Sequence, residues 1–140
     1  MSPFGDDTPE AETFLDVETT GAQEPKAMSM GEYKIRVVGA LIDIDKNNHP
    51  YFLPRFEIPS EPYSKDFTSF HGLPHDEMTE KQLNQSKWWL EQFKLCFGLA
   101  LEGKLTIDQM LRLEGWAILG SKDDPQWGEG NTIRRYLVPK

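Results

Sequence analysis

The chain has 140 residues, 38% of them hydrophobic and 27% charged, with a formal net charge of −8 and a single cysteine, Cys96. That length holds one domain with a real core and not two comfortable ones, and one cysteine rules out an internal disulfide and fits a reducing compartment. No apolar run approaches the ~18 residues of a membrane span, and MSPFGDDTPEAE at the N-terminus has neither the basic nor the apolar region of a secretory signal, so a cytoplasmic protein without a membrane partner is expected.

The charge is unevenly placed. Residues 1–30 hold seven acids (Asp6, Asp7, Glu10, Glu12, Asp16, Glu18 and Glu24) and one base, a net −6, while residues 31–140 hold sixteen acids and fourteen bases, a net −2. Overall acidity argues against nucleic acid as a partner. A near-neutral body can still carry a basic face, because the local field and not the total governs phosphate binding. Residues 1–29 mix Pro, Gly, Thr, Ala and acids with few apolar side chains; they are expected to form a flexible acidic leader with a short ordered patch at residues 13–17, and residues 30–140 the folded domain.

In residues 33–44, Tyr33, Ile35 and Val37 alternate with Lys34, Arg36 and Val38, the pattern of a half-buried strand. DKNNHP (residues 45–50) is a turn, with Asn available for positive φ. Residues 51–58 return as a second strand, in which Pro54 predicts an edge or a bulge. Residues 61–74 are irregular, with a short strand at residues 67–70. Thr79 and Gln82 fit a capping box, and Leu83, Leu90, Phe93 and Phe97 follow at helical spacing with Trp89 and Cys96 beside them; Gly98 is a C-terminal stop. Ile107 to Met110 reads as a short helical turn, residues 113–119 as a strand, residues 121–131 as a loop and residues 132–138 as the last strand.

Three stretches carry a resemblance. GEYKIRVVGALIDIDKNNHPYFLPRFEIP (residues 31–59), EKQLNQSKWWLEQFKLCFG (residues 80–98) and GWAILG with WGEGNTIRRYLVPK (residues 115–120 and 127–140) resemble the phage-type single-stranded DNA-binding proteins. The resemblance implies a mainly β fold: a five-stranded OB-fold barrel with one α-helix between strands three and four. It further implies single-stranded DNA and replication or recombination proteins as partners and residence in a host cytoplasm, and leaves open whether the chain forms a homo-oligomer. The chain departs from that pattern in ending on Val138, Pro139 and Lys140, with its acids at the opposite terminus; a partner-recruiting role would then fall to the leader.

Single-strand binding without sequence preference needs positive charge for the backbone and flat rings on which bases stack. The candidates are Lys34 and Arg36 on one face of the first strand, Tyr51 and Arg55 on one face of the second, Lys122 and Trp127 in the loop, and Arg134 and Tyr136 on one face of the last strand. No cofactor, metal or chemistry of the chain's own is expected. Trp89 and Cys96 read as core, with Trp88 turned partly outward. Two alternatives remain open. FLDVETTG (residues 14–21) resembles the first motif of proofreading-type 3′–5′ exonucleases, with Asp16 and Glu18 as metal ligands and FHGL (residues 70–73) as a second likeness, although no later Asp or His-x-x-x-x-Asp element accompanies them. A non-catalytic barrel that binds another protein is the other. His71 and His75, with Asp76 and Glu77, would make a metal site on a helix, but Gly72 and Pro74 break that helix.

Overall fold

The computed structural model describes residues 13–140. The leader expected at residues 1–29 falls partly outside the described residues; its remainder, from residue 13 to residue 25, has no helix or strand and is exposed. Lys26 is already tied to the domain by a parallel bridge to Ser64, and the Met28 amide donates to Asn131 Oδ1 at 2.8 Å.

The longest strand, β1 (Gly31–Ile44), serves two neighbours. Its first half pairs antiparallel with β5 (Glu114–Asp124), from Gly31 opposite Leu119 to Arg36 opposite Glu114. From Arg36 onward it pairs with β2 (Pro50–Glu57), ending at Ile44 opposite Pro50, with a bulge between Val37 and Gly39. The turn between them has Asn48 at φ +66°, the left-handed conformation that Asn tolerates. Two short strands, β3 (Phe67–Thr68) and β4 (His71–Gly72), pair with the other side of β2. β6 (Gly128–Tyr136) pairs with β5. The order is therefore β3-β2-β1-β5-β6, all antiparallel, with β4 also on β2.

The fold is mainly β, as expected, but the sheet has six strands and is not closed: no ladder joins β3 to β6 among the described residues. β3 and β4 share a single position beside β2, broken at Ser69 and Phe70. The break has a cause in Pro54. That residue has no N–H to give, its carbonyl accepts from the Ser69 amide at 3.1 Å, and the interruption falls beside it. Pro54 thus sits in an interior strand and neither on an edge nor at a bulge.

α1 (Glu80–Cys96) begins at the expected capping box: Thr79 Oγ1 accepts from the Gln82 amide, and Gln82 Oε1 accepts from the Thr79 amide. It stops at Gly98, φ +71°. α2 (Ile107–Met110) has its own box, from Thr106 and Gln109. Inward residues of the strands (Ile35, Val37, Phe52, Phe56, Ala117, Leu119) enclose Phe93, Cys96 and Phe97 of the helix end. The Phe56 ring lies 5.5–6.4 Å from those of Phe67, Phe93, Phe97 and Tyr136; burying such a side chain is worth about 1.5–3 kcal/mol. α1 rests directly on β5 at Gly115, where a Cβ would lie 2.7 Å from Cys96 Sγ and 2.8 Å from its carbonyl oxygen. Cys96 packs as expected, donating to the Trp116 carbonyl at 3.3 Å, and burial pushes its thiol up to about 11.

Candidate nucleic-acid interface

On β2, Phe52, Pro54 and Phe56 point into the core, so Tyr51, Leu53 and Arg55 face outward. Arg55 lies between Gly39 of β1 and Thr68 of β3. Its guanidinium reaches across β1 over the bare Gly39 backbone; a Cβ there would come within 3.3 Å of Nη2. Beyond Arg55 opens a cleft of about 430 Å³ between the β2–β3 side and the β5–β6 hairpin, lined by Arg55, Lys65, Thr68, Lys122, Trp127 and Thr132.

The hairpin itself departs from the sequence reading. The loop expected at residues 121–131 is mostly ladder, from Ser121 opposite Asn131 to Asp124 opposite Gly128, and only residues 125–127 form the turn. Asp124 Oδ1 accepts from the Gln126 and Trp127 amides, at 2.8 and 2.9 Å; these bonds hold its carboxyl below the usual range and orient Trp127, whose surface is 73% exposed. Lys65 Nζ donates to the carbonyls of Trp127 and Glu129 at 3.1 and 2.6 Å, tying the segment before β3 to the start of β6. Asp66, Asp124 and Glu129 also line the cleft. Among the described residues, Arg55 and Lys122 form no ion pair, while Lys65 is held by its two carbonyl bonds.

Farther along the outward face of β2, the Tyr51 ring stacks on Phe70, centroids 5.3 Å apart, and Phe70 is 61% exposed. Arg134 extends the face from β6. Register slips between Ile118 and Leu119 of β5, where Leu119 faces Ile133 and Ile118 faces Arg135. Arg134 is the extra residue of that bulge, so Arg134 and Arg135 are both exposed. The expected alternation, with Arg134 and Tyr136 on one side and Arg135 on the other, is thereby corrected.

Tyr136 leaves the binding set altogether. It is 1% exposed, its hydroxyl is 2.9 Å from His71 Nε2, and its ring lies 5.2 Å from Trp89 and 5.7 Å from Phe93. No base can stack on it. Burial pushes its phenol far up and His71 down to about 4. Lys34 and Arg36 are exposed in part, but carboxylates already neutralise them: Arg36 bridges Glu57 at 2.9 Å and Glu114 at 2.8 Å, and Lys34 is 3.5 Å from Glu114. Of the eight candidates, the cleft gathers Arg55, Lys122 and Trp127; Tyr51 and Arg134 lie on the flanking strands. Lys65, Thr68 and Phe70 escape a reading by pattern because they sit in a stretch without periodicity.

Asp16 and Glu18 lie in an exposed segment without strand pairing, and the Glu18 carboxylate accepts from the Thr20 amide at 3.1 Å. Among the described residues no imidazole, thiol or further carboxylate gathers with them into a group of three. His71 is a core residue, 2% exposed, and Trp88 is outward at 51% while Trp89 packs against the core. No helix of the described residues is long and apolar enough to cross a membrane. No protein-family model matches the chain, and no curated protein is significantly similar to it.

Proposed function

We propose that the chain is a single-stranded DNA-binding module of OB type that holds unpaired strands without sequence preference and performs no chemistry on them. The observation that carries this reading is the cleft lined by Arg55, Lys65, Lys122 and the exposed Trp127, together with Asp66, Asp124 and Glu129. Unpaired cations such as Arg55 and Lys122 track a phosphate backbone, and an exposed ring offers a stacking platform worth about 1–3 kcal/mol per base. The Tyr51–Phe70 pair, farther along β2, supplies a second platform for the same strand.

Topology supports the OB reading as well. β3 and β6 terminate the strand order, and the Lys65 bonds to the Trp127 and Glu129 carbonyls draw these two ends together, the direction in which a five-position barrel closes. Counted as one interrupted strand, β3 and β4 leave α1 between the third and fourth positions. The resemblance in sequence supports a role in phage DNA replication or recombination, within the host cytoplasm.

The test is the salt dependence of binding to fluorescein-labelled oligo-dT, followed by anisotropy, for the wild type and for the Arg55→Ala, Lys122→Ala double variant. Removing one cation that pairs with a phosphate lowers the slope of log K against log salt by about 0.7 for single strands, so the double variant is expected to bind more weakly and with a slope smaller by roughly 1.4. An unchanged slope and affinity would remove the cleft as the binding site.

A further inference from the structure

A second cluster lies away from the cleft, where the β1–β2 turn meets the segment leading into α1. The turn is rigid. Asp45 Oδ1 accepts from the Asn47 and His49 amides at 2.8 and 2.9 Å, and the Asp45 amide donates to the His49 carbonyl at 2.9 Å. The facing segment is fixed too: the Met78 amide donates to the His75 carbonyl at 3.2 Å, and the capping box follows at Thr79. These two supports bring the His49 and His75 rings face to face, centroids 4.0 Å apart and 10° from parallel. His49 Nε2 is 2.6 Å from Glu77 Oε1. One ligand atom from each of His49, His75 and Glu77 lies within 4.8 Å of the others.

We propose that His49, His75 and Glu77 form a binding site for a divalent transition-metal ion of the zinc type, with water completing the coordination. Two imidazoles and one carboxylate are a donor set suited to zinc, cobalt or nickel and poorly suited to magnesium or calcium, which take oxygen ligands. Three protein ligands leave an open position, as in sites that keep a bound water. Pairing of His49 with Glu77 alone accounts poorly for the arrangement. The Glu77 side chain is 76% exposed, and an ion pair so placed contributes little in water; the Glu77 amide also donates to His75 Nδ1 at 3.2 Å, which fixes that ring and leaves its Nε2 for a ligand. The three donor atoms already lie within 4.8 Å of one another, and the two imidazoles must turn out of their stacked arrangement to aim their in-plane nitrogen lone pairs at one ion. Asp45, bonded to the His49 amide, holds the turn that presents the first ligand.

Position gives the site a consequence. His49 is two residues before Tyr51, and β4 and Phe70 lie just before His75. A bound ion would tie the β1–β2 turn to the entry of α1 and brace the Tyr51–Phe70 end of the outward face. Cys96 is no competitor for the metal, since its thiol is buried and already donates to the Trp116 carbonyl.

The experiment uses the full chain stripped with chelator. Zinc is titrated by calorimetry, and cobalt(II) by its visible absorption. One equivalent of each is expected to bind, cobalt giving the d–d bands of a four- or five-coordinate site, and zinc raising the melting temperature. His75→Ala and Glu77→Gln are expected to lower zinc affinity by at least about tenfold while the metal-free chain still unfolds cooperatively. If His75→Ala fails to fold, His49→Gln takes its place. Absence of heat and of d–d bands at millimolar metal would overturn the proposal, and so would equal affinity in the wild type and Glu77→Gln together with either histidine variant.

Discussion

Acidification is expected to loosen this fold at a pH where its carboxylates are still ionised, and the reason is His71. Its ring is 2% exposed, Nε2 is engaged with the Tyr136 hydroxyl at 2.9 Å, and Nδ1 has no partner. Burial moves the group from 6.5 down to about 4. Folding therefore favours the neutral ring, the unfolded chain binds the extra proton between these values, and stability is full above the unfolded value and is lost as pH falls toward the folded one. Taking both values, the loss between about pH 7 and about pH 5 is about 2 kcal/mol, a sizeable share of the 5–15 kcal/mol typical of a domain. Glu77, Glu114, Asp45 and Asp124 are also held low by their hydrogen bonds, but their contributions disappear only at more acid pH. Urea denaturation followed by far-UV circular dichroism, in chelator and at steps across this range, measures the slope. His71→Gln, which does not titrate, is expected to start less stable and to show a flat profile down to about pH 5. Parallel profiles for the wild type and His71→Gln would refute the assignment.

Gly115→Ala should be costly despite its small size, because the new Cβ meets Cys96 Sγ at 2.7 Å and backbone at 2.8 Å; a loss of about 1–3 kcal/mol is expected in the same denaturation assay. Deleting residues 1–25 keeps the Lys26–Ser64 bridge and the Met28–Asn131 bond and removes all seven of the leader's acids, so oligo-dT should bind more tightly, most at low salt. Equal affinity for both lengths in an anisotropy titration would show that the leader does not compete for the groove. Arg36→Ala should leave DNA affinity nearly unchanged, because Glu57 and Glu114 already hold that guanidinium; a loss as large as that of Arg55→Ala would mean that the ion pairs open to receive the strand.

Much of the fold is legible in the sequence because the relevant signals are local. Alternation about Ile35 and Val37, the Thr79–Gln82 box and the Gly98 stop each depend on a few neighbouring residues, and each corresponds to the element found. What escapes is set by partners far along the chain. Gly, Asp and Glu between residues 121 and 131 have the composition of a loop, yet pairing across the hairpin makes most of them strand. The bulge at Arg134 reverses the facing of Tyr136, and it arises from register with β5 that no spacing in residues 132–138 displays. Pro54 announces an irregularity, but the irregularity falls on its neighbours Ser69 and Phe70. Lys34 and Arg36 are recognisable as outward bases, whereas their neutralisation by Glu57 and Glu114 is a tertiary fact. His75 invites comparison with His71 by spacing; topology instead buries His71 and brings His49 to His75.

Tryptophan fluorescence during titration with oligo-dT, at low and moderate salt and with and without magnesium, reads out base stacking in the cleft. Trp127 stands in the cleft at 73% exposure, so base stacking should quench it. The expected result is saturable quenching that weakens as salt rises, leaves the oligonucleotide intact, and largely disappears in Trp127→Phe. No quenching at low salt, quenching undiminished in Trp127→Phe, or magnesium-dependent degradation of the oligonucleotide would contradict it.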